Sequence, residues 1–178
     1  MSKNFLIILC LSLIVQSSYA KELNPAVIQT NKNNTDKTTP VADSAASRSE
    51  IMKIINTVIN ASSSFDVNAV ADLYTPNAVI ADEEPPFSWN GPTAGVQWVS
   101  TVEKTCKDFK LKGFKGKIGR VNVYLQSAES IYVVVPVDYT GEIKGEPFEE
   151  DGAFTFVFRI VNGRWMIKSQ VWVAKKGM

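Results

Sequence analysis

The spacing of the hydrophobic residues changes once along the chain, and this change constrains the fold more than any other feature of the sequence. In the stretches 51–59, 67–74 and 95–109, apolar side chains recur at helical spacing. From Ile118 to Val173 they alternate mostly with polar side chains, which is typical of strands with one buried face. Helices followed by strands predict an α+β domain, with three N-terminal helices packed on one face of an antiparallel sheet.

Two registers are possible for the last hairpin of this sheet. The Asn-Gly pair at 162–163 is the strongest short hairpin signal, and a two-residue turn there would pair Phe156 with Ser169. A three-residue loop with a bulge would instead place Lys168, Gln170 and Trp172 beside the phenylalanines. A slip of one residue exchanges every side chain between the two faces. We favour the first register because it buries no unpaired lysine.

The first twenty residues have the features of a secretory signal peptide. Lys3 supplies a positive charge ahead of the apolar run 5–15, and small residues at 18 and 20 stand where a signal peptidase cleaves. The apolar run is shorter than the roughly 20 residues that a membrane-spanning helix needs. We therefore expect cleavage before Lys21, a secreted or periplasmic protein, and no stable membrane span after cleavage.

The segment that follows the predicted cleavage site has the composition of a flexible leader. Residues 21–47 are rich in Asn, Thr, Lys, Ser and Ala, and they cannot bury enough apolar surface to offset the entropy lost on ordering. Order is expected to begin near Ser47. Residues 48–175 are then expected to form one domain.

Composition and charge exclude several classes of function. Lys and Arg number 19 against 18 Asp and Glu, so the chain lacks the strong positive field of a dedicated nucleic-acid binder. The absence of histidine excludes Ser-His-Asp and Cys-His nucleophiles and histidine-ligated zinc. Cys10 lies in the predicted signal peptide, which leaves Cys106 without a disulfide partner and points to a buried apolar role. We expect no metal, no cofactor and no nucleic-acid partner.

Three charged features each have a functional and a structural interpretation. The run from Asp82 to Glu84 follows the short strand 78–81, and it is either a general base with carboxylate neighbours or an exposed acidic loop, which we favour. Asp138 lies in an apolar strand and is either a pocket acid or a solvent-facing residue. The lysine-rich block 104–120 could attract an anionic surface, but we favour the solvated end of the third helix and a loop.

Two segments carry a family resemblance. The first is YTPNAVIAD at 74–82, followed by Trp-Asn-Gly at 89–91 and a helix, and the second is the hairpin that begins at 156 and continues to 167. Together they resemble the nuclear-transport-factor-2-like superfamily, in particular its SnoaL-like and ketosteroid-isomerase-like members. Over roughly residues 48–175, the resemblance implies a strongly curved sheet wrapped around three helices, a cone that opens at one end to one pocket.

The resemblance makes Asp82 the candidate catalytic residue, because isomerases of this superfamily carry at this position the aspartate that moves a proton between substrate carbons. A carboxylate beside an apolar cavity could serve as a general base. The oxyanion donors of those isomerases fall at about Val58 and Phe156, which cannot donate, so we do not expect classical ketosteroid isomerisation. Other members carry histidines at positions that match Ser169 and Val171, so histidine-dependent dehydration is not expected either.

Three functional hypotheses follow from the implied pocket. The residues expected to line it are Tyr74, Trp89, Trp98, Asp138, Phe156 and Ser169. We favour a binding domain that holds a small hydrophobic or amphipathic ligand without chemistry. The first alternative is an isomerase, cyclase or hydrolase that uses Asp82 as its base. The second is a dimeric envelope interaction module, a homodimer whose contact face carries Tyr124, Tyr132 and Trp172.

Overall fold

A computed structural model describes residues 44–177, so the predicted signal peptide and most of the predicted leader lie outside the described residues. The helices of the described part are α1 (Ser44–Ser64), α2 (Val67–Val70) and α3 (Ala94–Asp108). Helix α1 begins before the expected residue, so Ser47 lies inside the helix and is buried. None of the helices within 44–177 is long and apolar enough to cross a membrane.

The strands form one curved, mixed sheet. They are β1 (Tyr74–Ala81), β2 (Ser88–Asn90), β3 (Leu111–Ile118), β4 (Val123–Gln126), β5 (Ser130–Ile143), β6 (Glu146–Val161) and β7 (Arg164–Ala174). Their order is β2-β1-β7-β6-β5-β3, with β4 also paired to β5, and a short 3₁₀ turn follows at Lys175–Gly177. The predicted α+β class is confirmed. The sheet is not purely antiparallel, because β1 runs parallel to β7.

The lysine-rich block forms a strand where a loop was expected. Strand β3 pairs antiparallel with β5 from Leu111 to Ile118, with a register shift between Lys112 and Lys115. Leu111, Phe114 and Ile118 are half-buried, whereas Lys115 and Lys117 are exposed. Lysine chains on the outer face of a sheet leave the inner face free to pack, and the two glycines of this segment obscured the alternation in the sequence. The expectation of a solvated loop was therefore wrong here.

The β6–β7 hairpin uses both of the registers that the sequence allowed. Beside the two-residue turn, Phe158 pairs with Ile167, as the favoured register predicts. Farther from the turn, Phe156 pairs with Gln170 and not with Ser169. The predicted pairing is therefore wrong from Val157 onward, because the register shifts by one residue between Val157 and Phe158.

A bulge at Lys168 produces this shift. The extra residue has no partner in the β6–β7 ladder, and its Nζ donates to the Asn77 carbonyl at 2.6 Å. A bulge places two residues of one strand opposite one of its neighbour, so the side chains beyond it change face. Gln170 and Trp172 consequently lie on the buried face, without burial of the lysine that argued against this arrangement.

The core lies between the inner face of the sheet and the helices. Its largest buried side chains include Phe154, Phe156 and Phe158 of β6, together with Trp98 of α3 and Ile55 of α1. Phenylalanines at alternate positions of one strand all point to the same face. This alternation is why the strand could be predicted from the sequence. The packing leaves unfilled space beside α3, where the candidate site lies.

Candidate functional site

A cavity of about 280 Å³ lies between α3, the loop after β1 and the inner face of the sheet. Seven aromatic side chains line it: Phe109, which caps α3, and Trp98, Phe114, Tyr139, Phe148, Phe154 and Trp172. Because these rings come from α3 and from four strands, the wall exists only in the folded chain. Apolar walls with a few placed polar groups are typical of small-molecule sites.

The aromatic rings contact one another in an unbroken series. Trp98 meets Phe154 edge-on at 5.7 Å between ring centroids, and Phe154 contacts Trp172 at 4.7 Å. Trp172 meets Tyr139 at 5.6 Å, and Tyr139 stacks on Phe114 at 4.8 Å. Such pairs contribute about 0.5–1.5 kcal/mol each beyond the area that they bury, so the wall is held in shape by its own contacts.

Asp82 is the best-oriented polar group of the cavity. It follows β1 directly, and one of its carboxylate oxygens accepts a hydrogen bond from Trp98 Nε1 at 2.7 Å. The backbone N–H groups of Glu83 and Glu84 also donate to it. Burial nevertheless raises the pKa of Asp82, because desolvation of the carboxylate outweighs these hydrogen bonds. A fixed carboxylate with a raised pKa can accept a proton or bind a positive group.

Further carboxyl groups line the cavity beside Asp82. Burial, a hydrogen bond with Glu83 and the charge of Glu83 raise the pKa of Glu150 to about 7. Burial and the charges of Asp82 and Glu83 also raise the pKa of Glu84. Lys176 brings its Nζ to 3.7 Å from Glu150 Oε1 and 4.0 Å from Glu83 Oε1. One exposed ammonium group therefore faces several carboxyl groups.

Two further polar groups remain protonated in the cavity at neutral pH. The hydroxyl of Tyr139 lies 3.1 Å from Ser62 Oγ, and burial raises the pKa of this tyrosine far above its usual range. Burial also raises the pKa of the Cys106 thiol to about 11. The Ser62 hydroxyl donates to the Ile59 carbonyl at 2.8 Å, so the Tyr139 hydroxyl donates to Ser62 Oγ, and the Tyr139 oxygen can accept a further hydrogen bond. Cys106 is a poor nucleophile because its thiolate is scarce.

The structure brings together two of the residues that the sequence analysis assigned to the site. Asp82 and Trp98 line the cavity and are hydrogen-bonded to each other. Tyr74, Trp89 and Phe156 lie in the buried core, outside the set that lines the cavity. The hydroxyl of Tyr74 is used internally, because it donates to Gln170 Oε1 at 2.6 Å.

The other two predicted residues lie elsewhere on the sheet. Asp138 is exposed, opposite Lys117 on one neighbouring strand and Asp151 on the other. Ser169 is half-buried and pairs with Val157, on the strand face opposite to Phe156. Neither lines the cavity.

The structure leaves little of the aromatic face that was predicted to form a homodimer contact. Trp172 lines the cavity, and Tyr124 is half-buried with the guanidinium carbon of Arg48 at 4.6 Å from its ring centroid. Tyr132 alone of the three aromatics is exposed, at 38%. The basis for an aromatic docking surface is therefore reduced to one residue.

Several cavity residues were not identified from the sequence. Trp172 depends on the bulge in β7, and its ring occupies space that a side chain at Gly152 would fill, since a Cβ there would lie 2.5 Å from it. Phe154 was recognised as a core residue but not as part of the wall. Glu150 and Lys176 carry no local signal, because they approach Asp82 only through the pairing of distant strands.

Within residues 45–176, no group of three or more acidic or cysteine side chains has an arrangement that could hold a metal ion.

The fold and the site together define a class: α+β domains in which a curved mixed sheet and helices enclose a pocket. The family model for the SnoaL-like domain matches residues 51–172. The chain therefore belongs to the SnoaL-like family, within the nuclear-transport-factor-2-like superfamily. No curated protein sequence matches the chain.

Solved structures agree with this assignment. The hexachlorocyclohexane dehydrochlorinase LinA-type3 from Novosphingobium barchaimii LL02 is 14% identical, with a TM-score of 0.64 over 74% of this chain and 88% of that one. A nuclear-transport-factor-2-like protein with a cystatin-like fold from Novosphingobium aromaticivorans is 15% identical, with a TM-score of 0.63 over 75% of this chain and 85% of that one. At these identities the likeness concerns the fold alone.

Proposed function

We propose that this protein binds a small hydrophobic or amphipathic molecule in the cavity beside α3. The observation that carries the proposal is the aromatic wall, which surrounds unfilled space and also presents a fixed carboxylate, Asp82. Empty apolar space costs packing energy, so a wall of this kind gains contacts when a ligand fills it.

The volume limits the size of the ligand. About 280 Å³ lies just below the range of about 300–1,000 Å³ that is common for small-molecule sites. The cavity suits a molecule with one or two rings or a short hydrocarbon chain. Polar atoms of the ligand would face Asp82 and the hydroxyl of Tyr139, because these groups interrupt the apolar wall.

Thermal unfolding with indole, a small neutral aromatic molecule, tests the proposal. A ligand that binds only the folded state stabilises it by about 2.7 kcal/mol at a hundredfold excess over its Kd, so the melting temperature should rise. Val102→Trp places a ring in the cavity and should abolish the rise. Val173→Trp is the matched control, since Val173 is exposed and does not line the cavity.

The same variants show which results would contradict the proposal. If indole stabilises Val102→Trp as much as the unchanged protein, binding occurs elsewhere and the proposal is wrong. Leu111→Trp is a second blocking variant, on β3, and protects the test against a folding defect in the first. A melting temperature that indole leaves unchanged in every form would also overturn the proposal.

Acid–base catalysis is a second candidate function, and one observation favours it. Asp82, with its raised pKa, and the protonated hydroxyl of Tyr139 line the same cavity, and a substrate oxygen could take the Tyr139 hydrogen bond in place of Ser62 Oγ. A carboxylate can remove a proton from carbon while a neutral donor stabilises the oxygen that gains charge. The dehydrochlorinase relative supports only the fold of such an enzyme, because its identity to this chain is low.

Exchange of solvent deuterium into indan-2-one, followed by NMR, tests the catalytic candidate. The ketone is apolar, of suitable size, and has acidic carbon–hydrogen bonds. The unchanged protein and Asp138→Asn should accelerate exchange, whereas Asp82→Asn should lose the acceleration. Exchange no faster than in buffer, or unaffected by Asp82→Asn, would refute the role of this carboxylate as a base.

We also propose that the protein is exported, with cleavage before Lys21, as the apolar run 5–15 and the small residues at 18 and 20 suggest. N-terminal sequencing of the protein purified from its own host should give Lys-Glu-Leu as the first residues. A sequence that begins at Met1 or Ser2 would contradict this proposal.

A further inference from the structure

The charges that line the cavity are strongly unbalanced. Four carboxyl groups line it, from Asp82, Glu83, Glu84 and Glu150, against the one ammonium group of Lys176. The side chain of Lys176 is 77% exposed, and its contacts with two of these carboxyl groups are long, at 3.7 and 4.0 Å. An exposed ion pair of this geometry neutralises little of the negative potential.

The carboxyl groups repel one another when the cavity holds no ligand. The charge of Glu83 contributes to the raised pKa of Asp82, of Glu84 and of Glu150. Repulsion of this kind is relieved when a positive charge enters, because the cation interacts favourably with every carboxylate at once. The empty cavity is therefore electrostatically suited to a cationic ligand.

The aromatic wall favours the same kind of ligand independently of the carboxyl groups. Ring faces carry partial negative charge, so they attract ammonium groups within about 6 Å of their centroids, and several rings together form a cage. Trp98, Tyr139 and Trp172 are the rings with the greatest capacity for this interaction, and all three line the cavity. The same rings provide the apolar surface for the rest of the ligand.

Resting on the binding function proposed above, we infer that the cavity selects an organic cation: a molecule with a protonated amine or a quaternary ammonium head and a small apolar body. The head lies among the carboxyl groups of Asp82, Glu84 and Glu150, and the body lies against the aromatic wall. Neutral molecules of the same shape bind more weakly, and organic anions are rejected.

Three probes that share a phenyl ring on a short chain test this selectivity by isothermal titration calorimetry. At neutral pH phenethylamine is positive, phenethyl alcohol is neutral and hydrocinnamate is negative. We expect phenethylamine to bind about tenfold or more tightly than the alcohol, and the alcohol more tightly than hydrocinnamate. Equal affinity for the amine and the alcohol would overturn the inference and leave the proposed binding function intact. Failure of all three to bind would overturn both.

Two lysines provide a matched pair of variants. Lys176→Gln removes the ammonium group that competes with the ligand for the carboxyl groups. Because this ion pair is exposed and long, the gain is small, and phenethylamine should bind about twofold more tightly. Lys175 is its neighbour and equally exposed, but its Nζ contacts Asp151 at 3.5 Å, outside the cavity lining. Lys175→Gln should leave the affinity unchanged. An equal effect of the two variants would show a general charge effect and refute binding at this site.

The pH dependence provides a further readout. The titratable groups that face Glu150 are Asp82, Glu83 and Glu84 of the loop after β1, Lys176 of the 3₁₀ turn, Tyr139 of β5 and Cys106 of α3. Because the pKa of Glu150 is about 7, raising the pH through neutrality adds a negative charge to the cavity, and this charge attracts a cation. Affinity for phenethylamine should therefore rise between pH 6 and pH 8, with release of protons on binding. An affinity that falls over this range would contradict the inference.

Discussion

Replacement of Glu150 by glutamine tests the electrostatic description of the cavity. The carboxyl group of Glu150 shares a hydrogen bond with Glu83, and burial and this neighbour raise its pKa from 4.5 to about 7. Glutamine has the same shape as the protonated acid and keeps an N–H donor for Glu83. The variant therefore removes the charge while it preserves the contact.

The sign of the effect follows from the direction of the pKa shift. A raised pKa means that the folded state disfavours the charged form, so stability from this group is full below pH 4.5 and is lost as the pH rises through about 7. A shift from 4.5 to about 7 sets an upper limit of about 3 kcal/mol at 1.36 kcal/mol per unit. Solvent screens this partly exposed carboxyl group, and Lys176 loses a partner in the variant, so we expect a gain of about 1 kcal/mol above pH 7.

Urea unfolding at a series of pH values from 4 to 8 measures this gain. Glu150→Gln should match the unchanged protein near pH 4 and exceed it by about 1 kcal/mol near pH 8. Glu149→Gln is the matched control, because Glu149 is the adjacent residue, is exposed and does not line the cavity. A difference between Glu150→Gln and the unchanged protein that does not vary with pH would refute the reasoning, as would an equal gain in the control.

Other features of the site give predictions of their own. Gly95→Ala should lower the free energy of unfolding by about 2 kcal/mol, because the added methyl group meets the buried ring of Tyr74 and this clash outweighs the better helix propensity. Trp98→Phe should cost about 2 kcal/mol in urea unfolding at pH 7, since it removes the 2.7 Å donor to the cavity carboxylate. In a Cys10→Ser background, iodoacetamide should modify Cys106 roughly a hundredfold more slowly at pH 8 than in the urea-unfolded chain, because its pKa is about 11. Equal rates would contradict the burial of the thiol.

Much of the fold could be predicted because its signals are local. The apolar stripe of α1 and the alternating phenylalanines of β6 each indicate a buried face. This can be recognised within the segment, without knowing which element packs against it. Asp82 was identified through the family resemblance, because the acidic run by itself favoured an exposed loop. Trp98, which donates a hydrogen bond to Asp82, lies on the apolar stripe of α3. Both residues of this pair were therefore among the predicted site residues.

The rest of the site depends on contacts between distant parts of the chain. The bulge at Lys168 changes the face of Trp172, and no residue near it signals that the register shifts after the first few pairs of the hairpin. Burial of Trp172 also requires the empty space at Gly152 on the neighbouring strand. Glu150 meets the acidic loop only because β1 and β6 both pair with β7. Such proximity follows from sheet order and cannot be inferred from periodicity.

The strand β3 was missed for a different reason. Its lysines dominate the composition and predict solvation, yet they occupy only the outer face. Gly116 leaves the inner face open to a close approach of Ile59 and Tyr139, since a Cβ there would lie 2.7 Å from each. Because glycine has no side chain, an inward-facing glycine adds no hydrophobic residue to the pattern. The alternation of the strand is therefore not visible in the sequence.

Native mass spectrometry of the protein purified from its own host tests the central claim most directly. We expect a retained small molecule with a basic nitrogen and an apolar body, which Val102→Trp fails to retain and Val173→Trp keeps. A protein without any bound molecule, whose melting temperature neither indole nor phenethylamine raises, would contradict the claim that this cavity is a binding site. A retained organic anion would contradict the charge selectivity alone.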